Sequence, residues 1–285
     1  MILVVVGPTG VGKTKLSVEL AKKYNAIVVN GDSMQVYKGL DIGTAKVTEE
    51  EKCGIDHFLF DVVSVEDMYT VFDYQRDLRK VLELYKDRNI VIVGGTGLYI
   101  KAGLYNYEFS EEEDNNTNTY DEYSNEELLE MVKKLDSETL IHVNNRKRLI
   151  RRLNKKIEGN DKNTLLYDAK FIGLTTDRDT LYERINKRVD VMVDNGFLDE
   201  VKSFYDQNIR SKAIMTGIGY KELYEYFDGN ISLDEALDLI KQRSRKYAKR
   251  QYTWFNNQMD VKWFDVDFND FNNTINDVIN YIDEN

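Results

Sequence analysis

Cysteine is almost absent from this chain. Cys53 is the only one in 285 residues, so neither an internal disulfide nor a cysteine-rich zinc site can form. Histidine is nearly as scarce, and His57 and His142 cannot build a metal cluster between them. Proline occurs once, as Pro8. Long hydrophobic runs are missing too: the apolar stretch near the start is far shorter than the roughly 20 residues that span a bilayer, and Met1-Ile2-Leu3 carries no basic segment ahead of it. A cytoplasmic protein with no membrane partner is the expectation. Positive balance is also lacking. The 39 Lys and Arg against 50 Asp and Glu leave a net charge of −11, which argues against an RNA partner because phosphate backbones are bound by Lys and Arg.

That charge is unevenly placed. Acids gather at Glu108, Glu111, Glu112, Glu113, Asp114, Asp121 and Glu122, and again after Trp263. Bases gather at Arg146, Lys147, Arg148, Arg151, Arg152, Lys155 and Lys156, and at Lys241, Arg243, Arg245, Lys246, Lys249 and Arg250. Local potential matters more for docking than the total, so two basic stripes on an acidic body keep a polyanion partner open. Solvated helix faces would give the same runs.

What is present begins with Gly7-Pro8-Thr9-Gly10-Val11-Gly12-Lys13-Thr14, a full match to G-x-x-x-x-G-K-[ST]. It follows Ile2-Leu3-Val4-Val5-Val6, which reads as a buried strand, and precedes a helical pattern with Leu16, Leu20, Ala21 and Tyr24 on one side. In that context backbone N–H groups and a helix N-terminus converge on phosphate. Lys13 is suited to reach a phosphoryl oxygen and the Thr14 hydroxyl to ligate Mg²⁺. A di- or triphosphate ligand follows, as in nucleotide-binding and ATP-binding proteins with this motif.

A hydrolase or kinase usually carries a second strand ending in a metal-holding Asp. Here Ile90-Val91-Ile92-Val93 runs into Gly94-Gly95-Thr96-Gly97-Leu98-Tyr99 with no acid at its end; Asp61, after Phe58-Leu59-Phe60, is a substitute candidate. The strand Ala26-Ile27-Val28-Val29-Asn30 delivers Gly31-Asp32-Ser33-Met34-Gln35-Val36-Tyr37. Residues just past strand C-termini line the ligand crevice of an open parallel sheet, which puts Asp32 beside the phosphate loop. There it serves as a helix cap, as a holder of magnesium-bound water, or as a general base for a group attacking a phosphate-bearing carbon.

Together these blocks resemble the tRNA dimethylallyltransferases (isopentenyl-diphosphate:tRNA transferases). The resemblance rests on the phosphate loop, on Asp32-Ser33-Met34-Gln35-Val36-Tyr37 and on Gly39-Leu40-Asp41-Ile42-Gly43-Thr44-Ala45-Lys46. It extends through His57, Gly94–Tyr99, Gly217-Ile218-Gly219-Tyr220-Lys221-Glu222 and the run Arg245–Phe255. It implies transfer of a dimethylallyl group from dimethylallyl diphosphate to the exocyclic amine of the adenosine 3′-adjacent to the anticodon. Residues 7–14 and Arg188 would then bind diphosphate, with Thr14 on Mg²⁺. Asp32, Thr96 and Lys13 would be catalytic. Asp32, Ser33, Met34, Gln35, Thr96, Lys147, Arg148 and Arg151 would meet the tRNA anticodon stem-loop. A prenyltransferase acting on free adenine nucleotides and a non-catalytic nucleotide-dependent RNA-binding protein are the competing readings.

The expected fold is α/β: a P-loop-type doubly wound, mostly parallel sheet with a small helical insertion domain, acting as a monomer. Residues 1–105 and 169–285 form the catalytic core. Residues 106–168 form the insertion, which the resemblance assigns to tRNA contact. The pattern predicts a helix over 72–88, another from Asn125 with Leu128, Leu129, Val132 and Leu135 on one face, a flexible loop at 114–119, a strand at Phe171–Thr175 and a more exposed last strand at Val261–Phe264. The stripe Leu181, Ile185, Val189 and Met192 reads as core rather than cofactor contact. The insertion departs from the family, where a His-Pro-Asn-Asp block precedes Arg-x-x-Arg-Ala-Leu-Glu. His142-Val143-Asn144-Asn145 stands there instead, and only Arg148 and Arg151 match the paired arginines.

Overall fold

The computed structural model describes residues 1–109, 120–137, 139, 141–154 and 164–285. The chain divides into two compact units, Met1–Tyr105 with Leu165–Asn285, and Asn106–Thr164. The return to the first unit comes at Leu165 rather than at residue 169. Leu165 bridges Tyr105, and the Leu166 N–H donates to the Leu104 carbonyl at 2.9 Å, before the next strand starts. The loop expected at 114–119, the acids at 111–114, and Lys155 and Lys156 lie outside the described residues.

The first unit is built on β1 (Ile2–Val6), β2 (Ala26–Asn30), β3 (His57–Phe58), β4 (Asn89–Val93), β5 (Ala169–Thr175) and β6 (Lys262–Asp265), in the order β3-β2-β4-β1-β5-β6. Every pairing of these strands is parallel, so this sheet is wholly parallel rather than mostly so. Side chains alternate across a strand, and here both faces are covered. Val4, Val6, Ile27, Val29, Ile90 and Ile92 enter one core, while Leu3, Val5, Val28, Val91, Val93 and Ile172 enter the other. That double burial is why the inner strands read as unbroken β-branched runs. Strand β6, at the edge, has a half-exposed pattern instead.

Helices cover the two faces. Lys13–Tyr24 follows β1, with Gly12 at its N-cap in a left-handed conformation (φ 94°) and no side chain capping its first N–H groups. Val71–Leu84 starts at a capping box of Thr70 and Asp73. It ends four residues short of the predicted 88, because Arg88 N–H turns back to the Tyr85 carbonyl and Asn89 already opens β4. Arg178–Asp194 follows β5, and the long helix Leu233–Gln258 precedes β6.

In the second unit, the helix Asn125–Leu135 is capped by Ser124 and Glu127, and it packs Leu128 and Val132 with Leu149 of the helix Arg146–Asn154.

Candidate active site

The loop after β1, the loop after β2, the start of the Lys13–Tyr24 helix and the helices Arg178–Asp194 and Leu233–Gln258 enclose a cavity of about 450 Å³. Its lining includes Thr9, Lys13, Thr14, Asp32, Arg188 and Gln251. Strands β1 and β2 are separated by β4, so the C-terminal ends of three adjacent strands bring the phosphate loop, Asp32 and Gly94-Gly95 together. At Gly7 (φ 139°) a side chain would strike the Leu174 carbonyl oxygen, and this close approach to β5 is what demands glycine.

Lys13 donates to the Pro8 carbonyl at 2.7 Å, across its own loop. Burial, and then the nearby Arg188 guanidinium, bring its pKa down to about 7, with Asp32 pulling the other way. Arg188 is lowered by burial as well, and donates to the Thr44 carbonyl at 3.3 Å. Two basic side chains crowded into one pocket depress each other's charge, and a nearby anion would relieve that repulsion. Thr14 sits at the first turn of its helix and lines the same cavity. Gly7, Pro8 and Val11 are buried within the loop and are not among the residues that line the cavity.

Asp32 is oriented by its neighbours. Its N–H donates to Asn30 Oδ1 at 2.8 Å, and its Oδ1 accepts the Met34 N–H at 2.9 Å. Thr96 does not line the cavity; its hydroxyl accepts the Ser33 N–H at 3.0 Å and lies 3.2 Å from the Ser33 hydroxyl. Gln35 donates from Nε2 to the Thr44 and Ala45 carbonyls. Met34 and Ser33 line the cavity. Asp61 does not line the cavity and pairs with Lys46 at 2.6 Å.

Several lining residues were given no site role by the sequence reading. Gln251 accepts the Thr9 N–H at 3.1 Å through Oε1 and donates to the Gly95 carbonyl at 3.0 Å through Nε2. Tyr247, one turn earlier, is pushed up by burial and then by Asp32, which keeps its phenol protonated. His57 places Nδ1 2.9 Å from the Ile55 carbonyl, leaving a buried Nε2 with no partner on the cavity wall. Burial holds the ring below the usual histidine range. Nothing in the run Lys249–Phe255 distinguished the buried Gln251 from its exposed neighbours except its place in a helical period. The stripe on Arg178–Asp194 has two roles. Ile185 and Val189 are core residues, yet with Met192 they also form cavity wall.

The basic stripes thin out in three dimensions. Arg146 donates to the Tyr120 and Tyr123 carbonyls, and Arg152 pairs with Asp136. Lys241 pairs with Asp190, Arg243 with Glu222, and Arg245 with Asn186. Lys147 and Arg148 are exposed, as are Lys246, Lys249 and Arg250, while the Arg151 side chain lies outside the described set. Arg184 braces the phosphate loop, donating to the Gly10 carbonyl at 3.0 Å with its guanidinium over the Phe268 ring.

A profile of the IPP transferase family matches residues 35–258, a span that begins after the phosphate loop and Asp32. The chain belongs to the IPP transferase family. The tRNA dimethylallyltransferase of Anoxybacillus flavithermus is 45% identical over 298 residues, covering 99% of this chain and 96% of its own. That of Bacillus subtilis is 47% identical over 284 residues, covering 93% and 90%. Among solved structures, the tRNA isopentenylpyrophosphate transferase of Bacillus halodurans superposes with a TM-score of 0.77 at 41% identity, over 99% of this chain and 95% of that one. A eukaryotic dimethylallyltransferase acting on tRNA gives 0.82 at 27% identity, over 98% and 77%.

Proposed function

We propose that this chain transfers the dimethylallyl group of dimethylallyl diphosphate to the exocyclic amine of the adenosine 3′-adjacent to the anticodon in tRNA, releasing diphosphate. The observation that carries the reading is the convergence of two cations, Lys13 and Arg188, and one carboxylate, Asp32, on a single cavity in a chain of this family. The cations suit a leaving group whose negative charge grows as the C–O bond breaks, and charge fixed in advance lowers such a barrier. As the new N–C bond forms, the C–O electron pair departs with diphosphate and the amine proton passes to Asp32. Thr96 supports the loop that carries Asp32 and Ser33. The apolar wall of Val189, Met192, Phe197 and Ile218 suits the five-carbon chain.

Thr14 would hold Mg²⁺ together with phosphate oxygens and water. That donor set fits the ion, which keeps several waters and binds through one or two protein oxygens plus phosphate; among the described residues no acidic or histidine cluster offers an alternative cage. Bound there, Mg²⁺ would offset diphosphate charge. Exposed Lys147 and Arg148, with Arg151, are the proposed contacts to the RNA backbone. The reading needs neither a second subunit nor a membrane, and no helix among the described residues is long and apolar enough to cross one.

The test offers purified protein radiolabelled dimethylallyl diphosphate with bulk tRNA and AMP side by side. Label in tRNA is the expected result. Label in AMP alone would favour a prenyltransferase of free nucleotides, and transfer to neither would overturn the proposal.

A further inference from the structure

Glu200 lies in the first turn of the helix Phe197–Asp206, and both its carboxylate oxygens are committed to other segments. Oε2 accepts the backbone N–H groups of Asp41 at 3.1 Å and Ile42 at 2.6 Å. Oε1 accepts the Gly43 N–H at 3.1 Å and the Tyr220 hydroxyl at 2.6 Å. Three successive N–H groups on one carboxylate shape the backbone as a nest does around an anion. Tyr220, buried and beside this carboxylate, is pushed far above the usual phenol range and stays a donor. At Gly43 a side chain would run into Phe197 and the Tyr220 hydroxyl, so the segment fits the clamp only with glycine there.

The clamped segment continues into the cavity wall. Thr44 and Ala45 line it, and their carbonyls accept Gln35 Nε2 at 3.0 and 3.3 Å. The Thr44 carbonyl is also the acceptor for Arg188. A strong acceptor, the Glu200 carboxylate, fixes the backbone N–H groups from one side, and the Thr44 carbonyl is left to orient the guanidinium on the other. We propose that Glu200 is a positioning residue for the transfer: it fixes residues 41–45 and, through the Thr44 carbonyl, sets Arg188 toward the phosphate loop. This rests on the proposed function, in which Arg188 holds diphosphate.

The experiment measures inorganic diphosphate affinity by calorimetry, with thermal midpoints, for the full chain and three comparisons. Glu200→Gln should weaken binding about tenfold, as the loss of charge-assisted hydrogen bonds implies. Val201→Ala, on the same helix but in the core, should lower the midpoint and leave affinity within about twofold. In an Arg188→Ala background, Glu200→Gln should cost no further affinity, because the two act in series. Should Glu200→Gln fail to fold, Tyr220→Phe removes one donor of the four and takes its place, with a smaller loss. Equal losses from Glu200→Gln and Val201→Ala, or full additivity with Arg188→Ala, would overturn the positioning role. Wild-type protein that ignores diphosphate would overturn both this inference and the functional reading beneath it.

Discussion

The side-chain carbonyl of Gln251 accepts the backbone N–H of Thr9 at 3.1 Å, so the long helix Leu233–Gln258 grips the phosphate loop directly. The same amide holds the Gly95 carbonyl, joining the ends of β1 and β4. Gln251→Leu would leave the part-buried Thr9 N–H and the buried Gly95 carbonyl unpaired. The expected loss is about 2 kcal/mol of stability, read from chemical denaturation. Gln251→Glu keeps the acceptor for Thr9 but turns a carboxylate oxygen on the Gly95 carbonyl, and should cost more. Equal midpoints for all three proteins would mean that the loop is held by other contacts.

Asp32→Asn keeps an acceptor for the Met34 N–H and removes the base. Turnover should fall by about 10²–10⁴-fold, while diphosphate affinity stays within a few-fold of wild type. Lost diphosphate binding with normal residual chemistry would instead make Asp32 a metal-holding or folding residue.

Lys13 links binding to pH. Its pKa is lowered to about 7 by burial and by Arg188, so at pH 8 most of it is neutral. An arriving diphosphate supplies the missing counter-charge and raises that pKa. Binding near pH 8 therefore takes up a proton, and affinity declines as pH rises above 7 toward the bound-state pKa. Calorimetry in two buffers of different ionisation enthalpy should show this uptake, reduced in Lys13→Gln. Identical proton uptake in the two proteins would exclude Lys13 as its source.

Lys147 and Arg148 are exposed on the helix Arg146–Asn154, whereas Arg146 and Arg152 are tied to other groups. Replacing the exposed pair with Ala should weaken tRNA binding and lower the magnitude of its log–log salt slope by about 1.4. Replacing Arg146 should lower the melting temperature. A salt slope unmoved by the double variant would remove this helix from the RNA contact surface.

Most of the sheet was legible because buried parallel strands write themselves as apolar, largely β-branched runs, while β6 was located as a more exposed segment. Strand β3 was not: two residues, His57 and Phe58, are too short to leave a period. The phosphate loop was found through its motif, whose spacing reflects backbone geometry within a few residues, Asp32 through its place after β2, and Arg188 through the family resemblance. Charge runs overcounted the free bases, since a run records which residues are basic and not which of them meet a carboxylate. Asp136, Asp190 and Glu222 come from other elements and neutralise bases that looked free.

Local order, then, was determined by the chain itself: the glycine loop, the helix that follows it and the alternation that buries both faces of each inner strand depend on neighbours within a few positions. The tertiary structure alone decided which distant groups complete the site. Gln251 reaches Thr9 across 242 positions and Glu200 reaches Ile42 across 158. No local period encodes such pairs; they follow from strand order and helix packing, which set the distances over which a hydrogen bond can form.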